Sequence, residues 1–271
     1  MKKYKLGFIG CGNMAQAIIA SLNDPTAKYL HKLNKLKFEL FGFDTDADKL
    51  SAIPGLTQEA DAKSLAEKSD IVVLSVKPQN AAQAVEGVCF DGKIVLSIMA
   101  GVTCEKLKAL TKAEKTVRVM PNLNARVGAS FSAYCPVGLD TEEERTVRLI
   151  LDSFGRSMKT EESAMNAITG IAGSGPAFVF MFIKAFTDAG VKYGFDHAAA
   201  RDMAVATIAG SAQTLAAAAD TDIEALIDSV CSKGGTTIRG VDFLKEKDFE
   251  ETVIGAIDKA AARAAEMERG E

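Results

Sequence analysis

The sequence predicts an α/β fold with a doubly wound, mostly parallel sheet, followed by an all-helical region. Short apolar runs alternate with helical patterns through the first half of the chain, and several runs are apolar at nearly every position. Strands buried on both faces of a parallel sheet have that composition. From about residue 162 the chain is rich in alanine and lacks runs of Val and Ile, which favours helices. We therefore predict two domains, residues 1–161 and residues 162–271.

The first domain contains five predicted strands that alternate with helices. The strands are expected at residues 5–9, 38–43, 71–75, 94–98 and 116–119. The helices are expected at residues 13–22, 47–52, 62–68, 80–88 and 104–110. Two more strands, at residues 130–135 and 156–160, flank a helix around residues 142–153 and are expected to extend one edge of the sheet.

One helix of the second domain is apolar nearly all round. Its apolar side chains are Phe178, Phe180, Met181, Phe182, Ile183 and Phe186. Such a helix is expected to be buried on every side, either in the core of the monomer or in a dimer interface.

Composition and charge exclude several classes of protein. Hydrophobic residues make up 48% and charged residues 25% of the 271, as in ordinary globular proteins. The net charge of −4 argues against nucleic-acid or anionic-membrane partners, because those surfaces select basic patches. The five cysteines lack a CxxC pair, which favours reduced, buried thiols over a disulfide framework or a zinc site. No stretch approaches the about 18 uninterrupted apolar residues of a membrane span, and we expect a cytoplasmic protein.

A glycine-rich stretch follows the first predicted strand and leads into the first helix. Residues 10–15 read Gly-Cys-Gly-Asn-Met-Ala, the G-x-G-x-x-A form of the dinucleotide fingerprint in the context that it requires. The first glycine permits the tight turn, the second lets a pyrophosphate approach, and the helix N-terminus supports the anion. With four more βα units behind it, this stretch indicates a Rossmann-type, cofactor-binding domain.

Asp44 ends the second strand, where an acid accepts the ribose 2′-hydroxyl of NADH and repels the 2′-phosphate of NADPH. It lies farther beyond Gly10 than the about 20 residues usual for this role, so residues 24–36 would form an inserted connection. The local sequence FDTDAD holds three acids and no arginine, which favours NADH further. The alternative is that Asp44 or Asp46 is a helix N-cap.

The chain offers few groups for acid–base chemistry. Its two histidines are His31, in the presumed insertion, and His197, which follows Asp196 at a helix start where capping is the expected role. Neither a Ser-His-Asp triad nor a metal site is indicated. Hydride transfer to an already polarised double bond fits these residues, because the cofactor carries the reactivity and the protein supplies position.

Four other stretches are candidates for a site: SVKPQ at 75–79, VRVMPN at 117–122, GSGPAF at 173–178 and SKGGTT at 232–237. The first two follow the third and fifth strands, where ligands of doubly wound sheets bind. Lys77-Pro78 also suits a strand exit, Pro121-Asn122 a turn and Ser174-Gly175-Pro176 a helix start. In SKGGTT, N–H groups at a helix start suit an anion, but Lys233 precedes the glycines, unlike the lysine of a P-loop.

Taken together, these stretches resemble those of pyrroline-5-carboxylate reductase, the family that reduces a cyclic imine to proline. The resemblance runs through essentially the whole chain, on GFIGCGNMAQAI, SVKPQ, VLSIMAG, VRVMPN, ITGIAGSGPAFVF and SKGGTTIRGV in that order. It implies a Rossmann domain and an all-α C-terminal domain that dimerises by intertwining, with larger rings of dimers in the family. It also implies the last step of proline biosynthesis, with hydride transfer to 1-pyrroline-5-carboxylate. The family usually prefers NADPH, whereas Asp44 favours NADH.

The resemblance implies a role for each residue that matches a family motif. Under the pyrophosphate would lie Gly10, Gly12, Asn13 and Met14; along the nicotinamide half of the cofactor site would lie Val76, Lys77 and Ala100. The substrate would be held by Ser232, Gly235, Thr236 and Thr237, with Ser232 and loop N–H groups on its carboxylate. Thr237 would be catalytic, its hydroxyl near the ring nitrogen, which is already protonated or receives its proton through Thr237 or water.

Departures from the family pattern leave alternatives open. Leu123-Asn124 stands where the family usually has Thr-Pro, and Cys231-Ser232-Lys233 stands where it has Thr-Ser-Pro. One alternative is an imine or β-hydroxyacid reductase of the same two-domain design, in which Lys184 would be the residue to check as proton donor. The other is a non-catalytic Rossmann-type cofactor sensor, which would not need the second glycine loop.

Overall fold

The structure is a computed structural model that describes residues 2–24, 36–218 and 220–270. His31 and most of the predicted insertion at 24–36 lie outside the described residues. The chain divides into two compact units, Met1–Ser174 with Asp258–Glu271, and Gly175–Ile257.

The first unit is built on a mostly parallel sheet that has eight strands within the described residues. They are β1 (Lys2–Ile9), β2 (Leu36–Phe43), β3 (Thr57–Gln58), β4 (Ile71–Leu74), β5 (Ile94–Ser97), β6 (Lys115–Met120), β7 (Ser130–Val137) and β8 (Gly155–Lys159). Their order is β3-β2-β1-β4-β5-β6-β7-β8, and every pair is parallel except β6 with β7. The predicted fold class is confirmed, and β7 and β8 extend one edge as predicted. The two-residue β3 was not predicted, because so short a strand carries no periodic pattern.

Helices of the first unit follow the strands in the predicted alternation. They are α1 (Asn13–Asn23), α2 (Ala47–Ser51), α3 (Ala62–Lys68), α4 (Ala81–Ala84), α5 (Cys104–Thr111), α6 (Thr141–Asp152) and α7 (Met165–Ile168). Asp61 and Asp140 form capping boxes at the starts of α3 and α6, which satisfy main-chain donors in those first turns. The helix predicted at residues 80–88 is shorter: a 3₁₀ turn, Pro78–Asn80, precedes α4, and α4 ends at Ala84.

Alternate side chains of the central strands point into two apolar cores, one on each face of the sheet. Leu6 and Phe8 of β1 join the core formed with α1 and α6, whereas Ile9 joins the core formed with α3 and α5. These three side chains are at most 1% exposed. Burial on both faces explains why the strands are apolar at nearly every position.

Helices are the only regular secondary structure among the described residues of the second unit. They are α8 (Gly175–Lys192), α9 (His197–Ala217), α10 (Ile223–Ser229), α11 (Thr236–Glu246) and the start of α12 (Phe249–Arg269), whose last turns belong to the first unit. At Gly190 of α8 a Cβ would lie 2.8 Å from the Cβ of Ala200 in α9, so a glycine allows the two helices to approach closely. The buried residues of these two helices are Pro176, Thr187, Ala200 and Ala204.

The apolar helix α8 is not buried within the single chain. Phe180 is 52% exposed and Met181 is 72% exposed, so the expectation of a monomer core is wrong for this helix and the dimer alternative stays a prediction. The largely helical segment Glu162–Lys192 is also long and apolar enough to cross a membrane by length and composition. Lys184 interrupts its apolar residues, so the expectation that no stretch approaches about 18 uninterrupted apolar residues is not contradicted.

The first compact unit extends past the predicted boundary after residue 161. Met165 and Ile168 of α7 join an apolar cluster with Met120 of β6 and Cys135 of β7. Residues 258–271 at the end of the chain also belong to this unit. The compact units therefore combine segments that are far apart in sequence, and the predicted domains, residues 1–161 and residues 162–271, stay a prediction.

Arg118 of β6 is the largest fully buried side chain among the described residues. Its guanidinium donates to Glu162 Oε1 at 3.0 Å and to Glu268 Oε1 at 2.6 Å, and Asn166 Nδ2 donates to Glu268 Oε2 at 2.9 Å. Burial raises the pKa of Glu162, but hydrogen bonds from the Cys104 N–H and from Arg118 outweigh burial and hold that pKa below its usual value. A buried ionic cluster therefore ties the last turn of α12 to the sheet.

Removing one acid of this cluster should destabilise the first unit. Glu268→Ala leaves the Arg118 guanidinium buried with one carboxylate, and we expect a loss of about 3 kcal/mol in the free energy of unfolding. The measurement is urea unfolding at one fixed protein concentration. Glu266→Ala is the matched control, since Glu266 pairs with Arg263 on the exposed side of the same helix and should cost about 1 kcal/mol or less. Equal losses in the two variants would contradict the prediction.

Candidate functional site

A cleft of about 830 Å³ opens in the first unit at the carboxyl ends of β1, β2 and β4. The register places Ile9 beside Phe43 of β2 and Leu74 of β4, so the residues that follow these three lie at one edge of the sheet. The chain proceeds from β1 to β2 and β3 on one side and then crosses to β4 on the other. This reversal of strand order is the place where ligands bind in doubly wound folds.

Gly10 makes the turn that leaves β1. Its φ is +90°, and its N–H donates to Phe43 O at 2.8 Å. A Cβ on Gly10 would lie 2.8 Å from Val76 Cγ1 and 2.9 Å from Ser75 O. Both the backbone conformation and the lack of space therefore require glycine at this position.

Gly12 is the N-cap of α1 and leaves the helix N-terminus open. It has extended backbone angles, no side-chain hydrogen bond caps the helix, and no atom lies within 4 Å of the position that a Cβ would take. The first N–H groups of a helix lack intrahelical acceptors and favour an anion. The glycine loop of this chain thus fits a pyrophosphate, with space above Gly12 for its approach.

Six of the eight residues predicted to bind a cofactor line this cleft: Gly10, Gly12, Asn13, Asp44, Val76 and Lys77. The other two lie elsewhere. Met14 packs against the core on the α1 face of the sheet, and Ala100 packs against the cluster that contains Met120. The predicted cofactor roles of all eight stay predictions.

Asp44 faces the glycine loop. Its Oδ2 accepts from the Cys11 N–H at 2.7 Å and its Oδ1 accepts from the Asp46 N–H at 2.9 Å. Burial raises the pKa of Asp44, but these two bonds and Lys49 outweigh burial, so the pKa is lowered and the side chain is a carboxylate. The N-cap of α2 is Asp46, whose side chain accepts from the Asp48 N–H. Of the two acids for which capping was considered, Asp46 therefore has that role.

Cys11 lies between the two glycines of the loop and is fully buried. Burial and the charge of Asp44 raise the pKa of its thiol to about 12. The side chain is therefore a neutral, space-filling group beneath the loop.

Several lining residues were missed by the sequence analysis: Thr45, Lys49, Asp61, Lys63, Asn80, Gln83 and Glu86. Lys49 had a usable signal, because it lies three residues after the capping acid Asp46 and thus on the same side of a short helix. Thr45, Asp61, Lys63 and Asn80 lie at or just before helix starts, whereas Gln83 lies within α4 and Glu86 follows it, and none of them belongs to a ligand motif.

The second glycine loop precedes α11 in the second unit. Gly235 is the N-cap of α11 with φ −76° and ψ 178°, and no side-chain hydrogen bond caps this helix. Its N–H donates to Ser232 O at 2.9 Å, and Ser232 Oγ lies only 2.2 Å from the position that a Cβ on Gly235 would take. The four predicted substrate residues, Ser232, Gly235, Thr236 and Thr237, therefore form one loop and helix start, with Thr236 and Thr237 exposed.

The remaining candidate stretches have structural roles. Asn122 Oδ1 accepts from the Asn124 N–H at 3.1 Å, and Asn122 Nδ2 donates to Ala172 O at 3.0 Å. Pro176 lies in the first turn of α8, as a helix start predicts. Lys184 is 74% exposed and pairs with Asp188 one turn along α8. Within the residues that the structure describes, no three His, Cys, Asp or Glu side chains gather in a metal-binding group.

Comparisons with known proteins agree over the full length of the chain. It is 38% identical to a pyrroline-5-carboxylate reductase of Aquifex aeolicus, covering 97% of both chains, and 34% identical to that of Escherichia coli, covering 98% of both.

The chain belongs to the pyrroline-5-carboxylate reductase family.

Solved structures from the same family agree with this assignment. A Plasmodium falciparum pyrroline carboxylate reductase with NADP bound is 29% identical with a TM-score of 0.86, and the match covers 98% of both chains. A 1-pyrroline-5-carboxylate reductase from Streptococcus pyogenes is 30% identical, also with a TM-score of 0.86, over 97% of this chain and 99% of that one. The fold of the whole chain is therefore that of the pyrroline-5-carboxylate reductases.

Two family models match separate parts of the chain. Residues 162–267 match the model described as pyrroline-5-carboxylate reductase dimerisation. Residues 5–101 match the one described as NADP oxidoreductase coenzyme F420-dependent, a stretch that includes the cleft-lining residues.

Two glycine variants should separate ligand binding from folding. Gly12→Ala should fold, since the space is open and φ is −72°, yet weaken dinucleotide binding by about tenfold because the methyl group occupies the anion's approach. Gly10→Ala should instead lower the free energy of unfolding by about 2 kcal/mol because of its positive φ and its crowding. Calorimetric titration and urea unfolding measure the two effects, and undiminished cofactor affinity in Gly12→Ala would contradict the site.

Proposed function

We propose that this chain reduces 1-pyrroline-5-carboxylate to L-proline with a nicotinamide cofactor, the last step of proline biosynthesis, in the cytoplasm. The observation that carries the proposal is its full-length relation to reductases of that name, at 38% and 34% identity. Residues 1–161 would serve as the cofactor domain and residues 162–271 as the substrate-binding and dimerisation domain.

The cleft of the first unit is the proposed cofactor site. Gly10, Gly12 and the first turn of α1 bind the pyrophosphate through main-chain N–H groups. We also propose that Val76, Lys77 and Ala100 line the nicotinamide half, the first two within the cleft and Ala100 outside it, against the cluster that contains Met120. When bound, the cofactor supplies the hydride that reduces the carbon of the C=N bond. We assign NADPH, which is supported by the NADP bound to the P. falciparum relative; Asp44 is the feature that favours NADH.

The loop before α11 is the proposed substrate site. The open N-terminus of α11 and the Ser232 hydroxyl bind the substrate carboxylate, because unpaired helix N–H groups favour an anion. Thr236 and Thr237 begin the helix, and the Thr237 hydroxyl lies beside the ring nitrogen. Reduction adds a hydride to carbon and leaves one proton on nitrogen, which the nitrogen already holds or receives through Thr237 or water. A protonated C=N bond needs no strong general acid, which agrees with a cleft that no described histidine lines.

Oxidation of NADH and NADPH, followed by absorbance with 1-pyrroline-5-carboxylate, tests the proposal. We expect turnover with at least one of the two cofactors. We expect no turnover when a β-oxo acid, the oxidised form of a β-hydroxyacid, replaces 1-pyrroline-5-carboxylate. Absence of turnover with both cofactors would overturn the proposed function.

Thr237→Ala tests the role of the second loop. The variant should lower kcat by about tenfold or more, since a positioned proton donor contributes at least that much, while cofactor affinity stays nearly unchanged. Thr221→Ala, in an exposed loop of the same unit, is the control and should retain wild-type kcat. Equal kcat values in the two variants would remove Thr237 from the site.

The exposed apolar face of α8 supports a homodimer. Contiguous exposed apolar patches mark interfaces in soluble proteins, and residues 162–267 match a dimerisation model. We propose that a second copy, not a membrane, covers Phe180 and Met181, and that the dimers assemble further into a ring.

Met181→Glu should produce monomers, because a charge placed in a buried apolar interface lacks a partner. Sedimentation velocity measures the change in mass. Lys112→Glu, on an exposed residue of the first unit, is the control and should keep the oligomer. An unchanged sedimentation coefficient for Met181→Glu would place the interface elsewhere.

A further inference from the structure

The carboxylate of Asp44 is already engaged by the protein. Both of its oxygens accept main-chain N–H groups, one from Cys11 in the glycine loop and one from Asp46. The side chain is only 11% exposed. Asp44 therefore braces the glycine loop against the end of β2, which is a structural task separate from reading a ribose hydroxyl.

Lys49 brings a cation to the same end of β2. Its Nζ lies 3.5 Å from Asp44 Oδ1 and 3.3 Å from Asp46 Oδ2, and its side chain is 43% exposed and lines the cleft. An ammonium has three N–H donors, so contacts with two carboxylates leave one donor for a ligand. The hydrogen bond with Asp46 and the charge of Asp44 raise the pKa of Lys49, which keeps it cationic.

The two acids beside Lys49 are compensated by other groups. Asp46 caps α2 through its bond from the Asp48 N–H, and Asp44 accepts two main-chain N–H groups. Thr45, between them in sequence, is exposed and also lines the cleft. The lip of the cleft at the end of β2 thus presents the Lys49 ammonium and the Thr45 hydroxyl to a ligand, beside the Asp44 carboxylate, whose two oxygens already accept main-chain N–H groups.

In doubly wound folds the end of β2 meets the ribose 2′ position, and a nearby basic side chain accommodates a 2′-phosphate. A phosphate monoester carries a charge of about −1.5 to −2 at pH 7. On this basis, and resting on the proposed use of a nicotinamide dinucleotide, we propose that Lys49 receives the 2′-phosphate of NADPH, with Asp44 acting as the brace of the glycine loop. Lys49 is then the residue that lets a chain with an acid directly after its second strand use NADPH.

Two adenosine fragments test this assignment without turnover. Calorimetric titration of the purified full-length protein with 2′,5′-ADP and with 5′-ADP gives the ratio of the two dissociation constants. We expect wild type to bind 2′,5′-ADP more tightly, and Lys49→Met to weaken 2′,5′-ADP by about tenfold, the worth of one charge-assisted hydrogen bond. In Lys49→Met the dissociation constant of 5′-ADP should stay within about twofold of the wild-type value. Higher salt should reduce the wild-type preference for 2′,5′-ADP over 5′-ADP.

Two matched variants make the outcome decisive. Lys63→Met removes another lysine that lines the cleft and should change the ratio of the two dissociation constants less than Lys49→Met does. A larger change in Lys63→Met than in Lys49→Met overturns the proposal. Asp44→Asn should weaken both fragments alike because the loop loses its brace, whereas selective loss of 5′-ADP would make Asp44 the ribose ligand and overturn it. If Lys49→Met leaves the ratio of the two dissociation constants unchanged, or if wild type binds both fragments equally, the role of Lys49 is refuted. The proposed function is not affected by either result. Binding of neither fragment by wild type refutes the proposed function as well.

Discussion

The guanidinium of Arg118 is the constraint on which much of the first unit depends. A buried cation requires anionic partners, and Arg118 has Glu162 and Glu268, from segments far apart in the chain. Glu162 also accepts a hydrogen bond from the Cys104 N–H at the start of α5. One carboxylate therefore accepts hydrogen bonds from both a strand, through Arg118, and a helix. The cluster explains why the end of α12 belongs to the compact unit of the sheet although the preceding helices do not.

The two glycine loops have the same local geometry. Gly12 has φ −72° and ψ −175°, Gly235 has φ −76° and ψ 178°, and each precedes a helix that no side chain caps. A side-chain cap would occupy the N–H groups that an anion needs, so glycine suits both positions. The chain therefore has two similar uncapped helix starts that suit an anion, and the proposed function gives one to the cofactor and the other to the substrate carboxylate.

Much of the first unit could be predicted because its signals are local. Burial on both faces makes the central strands continuously apolar, and Gly10 and Gly12 occur where a strand turns into a helix. The environment of Asp44 could not be predicted, because one of its partners, the Cys11 N–H, comes from the glycine loop after β1 and is brought near by the register of β1 with β2. Lys49 has a local signal in its spacing of three residues from Asp46, but that spacing does not show that Lys49 lines the cleft, which only the folded chain decides.

The sequence by itself determined the order of strands and helices, the glycine loops and the family, since propensity, periodicity and motif spacing are properties of neighbouring residues. Tertiary structure alone decided that Asp46 caps α2 while Asp44 braces the loop, and that Met14 and Ala100 pack into apolar clusters. It also decided that α8 presents its apolar side chains to the outside of the single chain. These outcomes depend on which distant groups compete for a hydrogen bond or for burial, and that competition is settled only when the chain has folded.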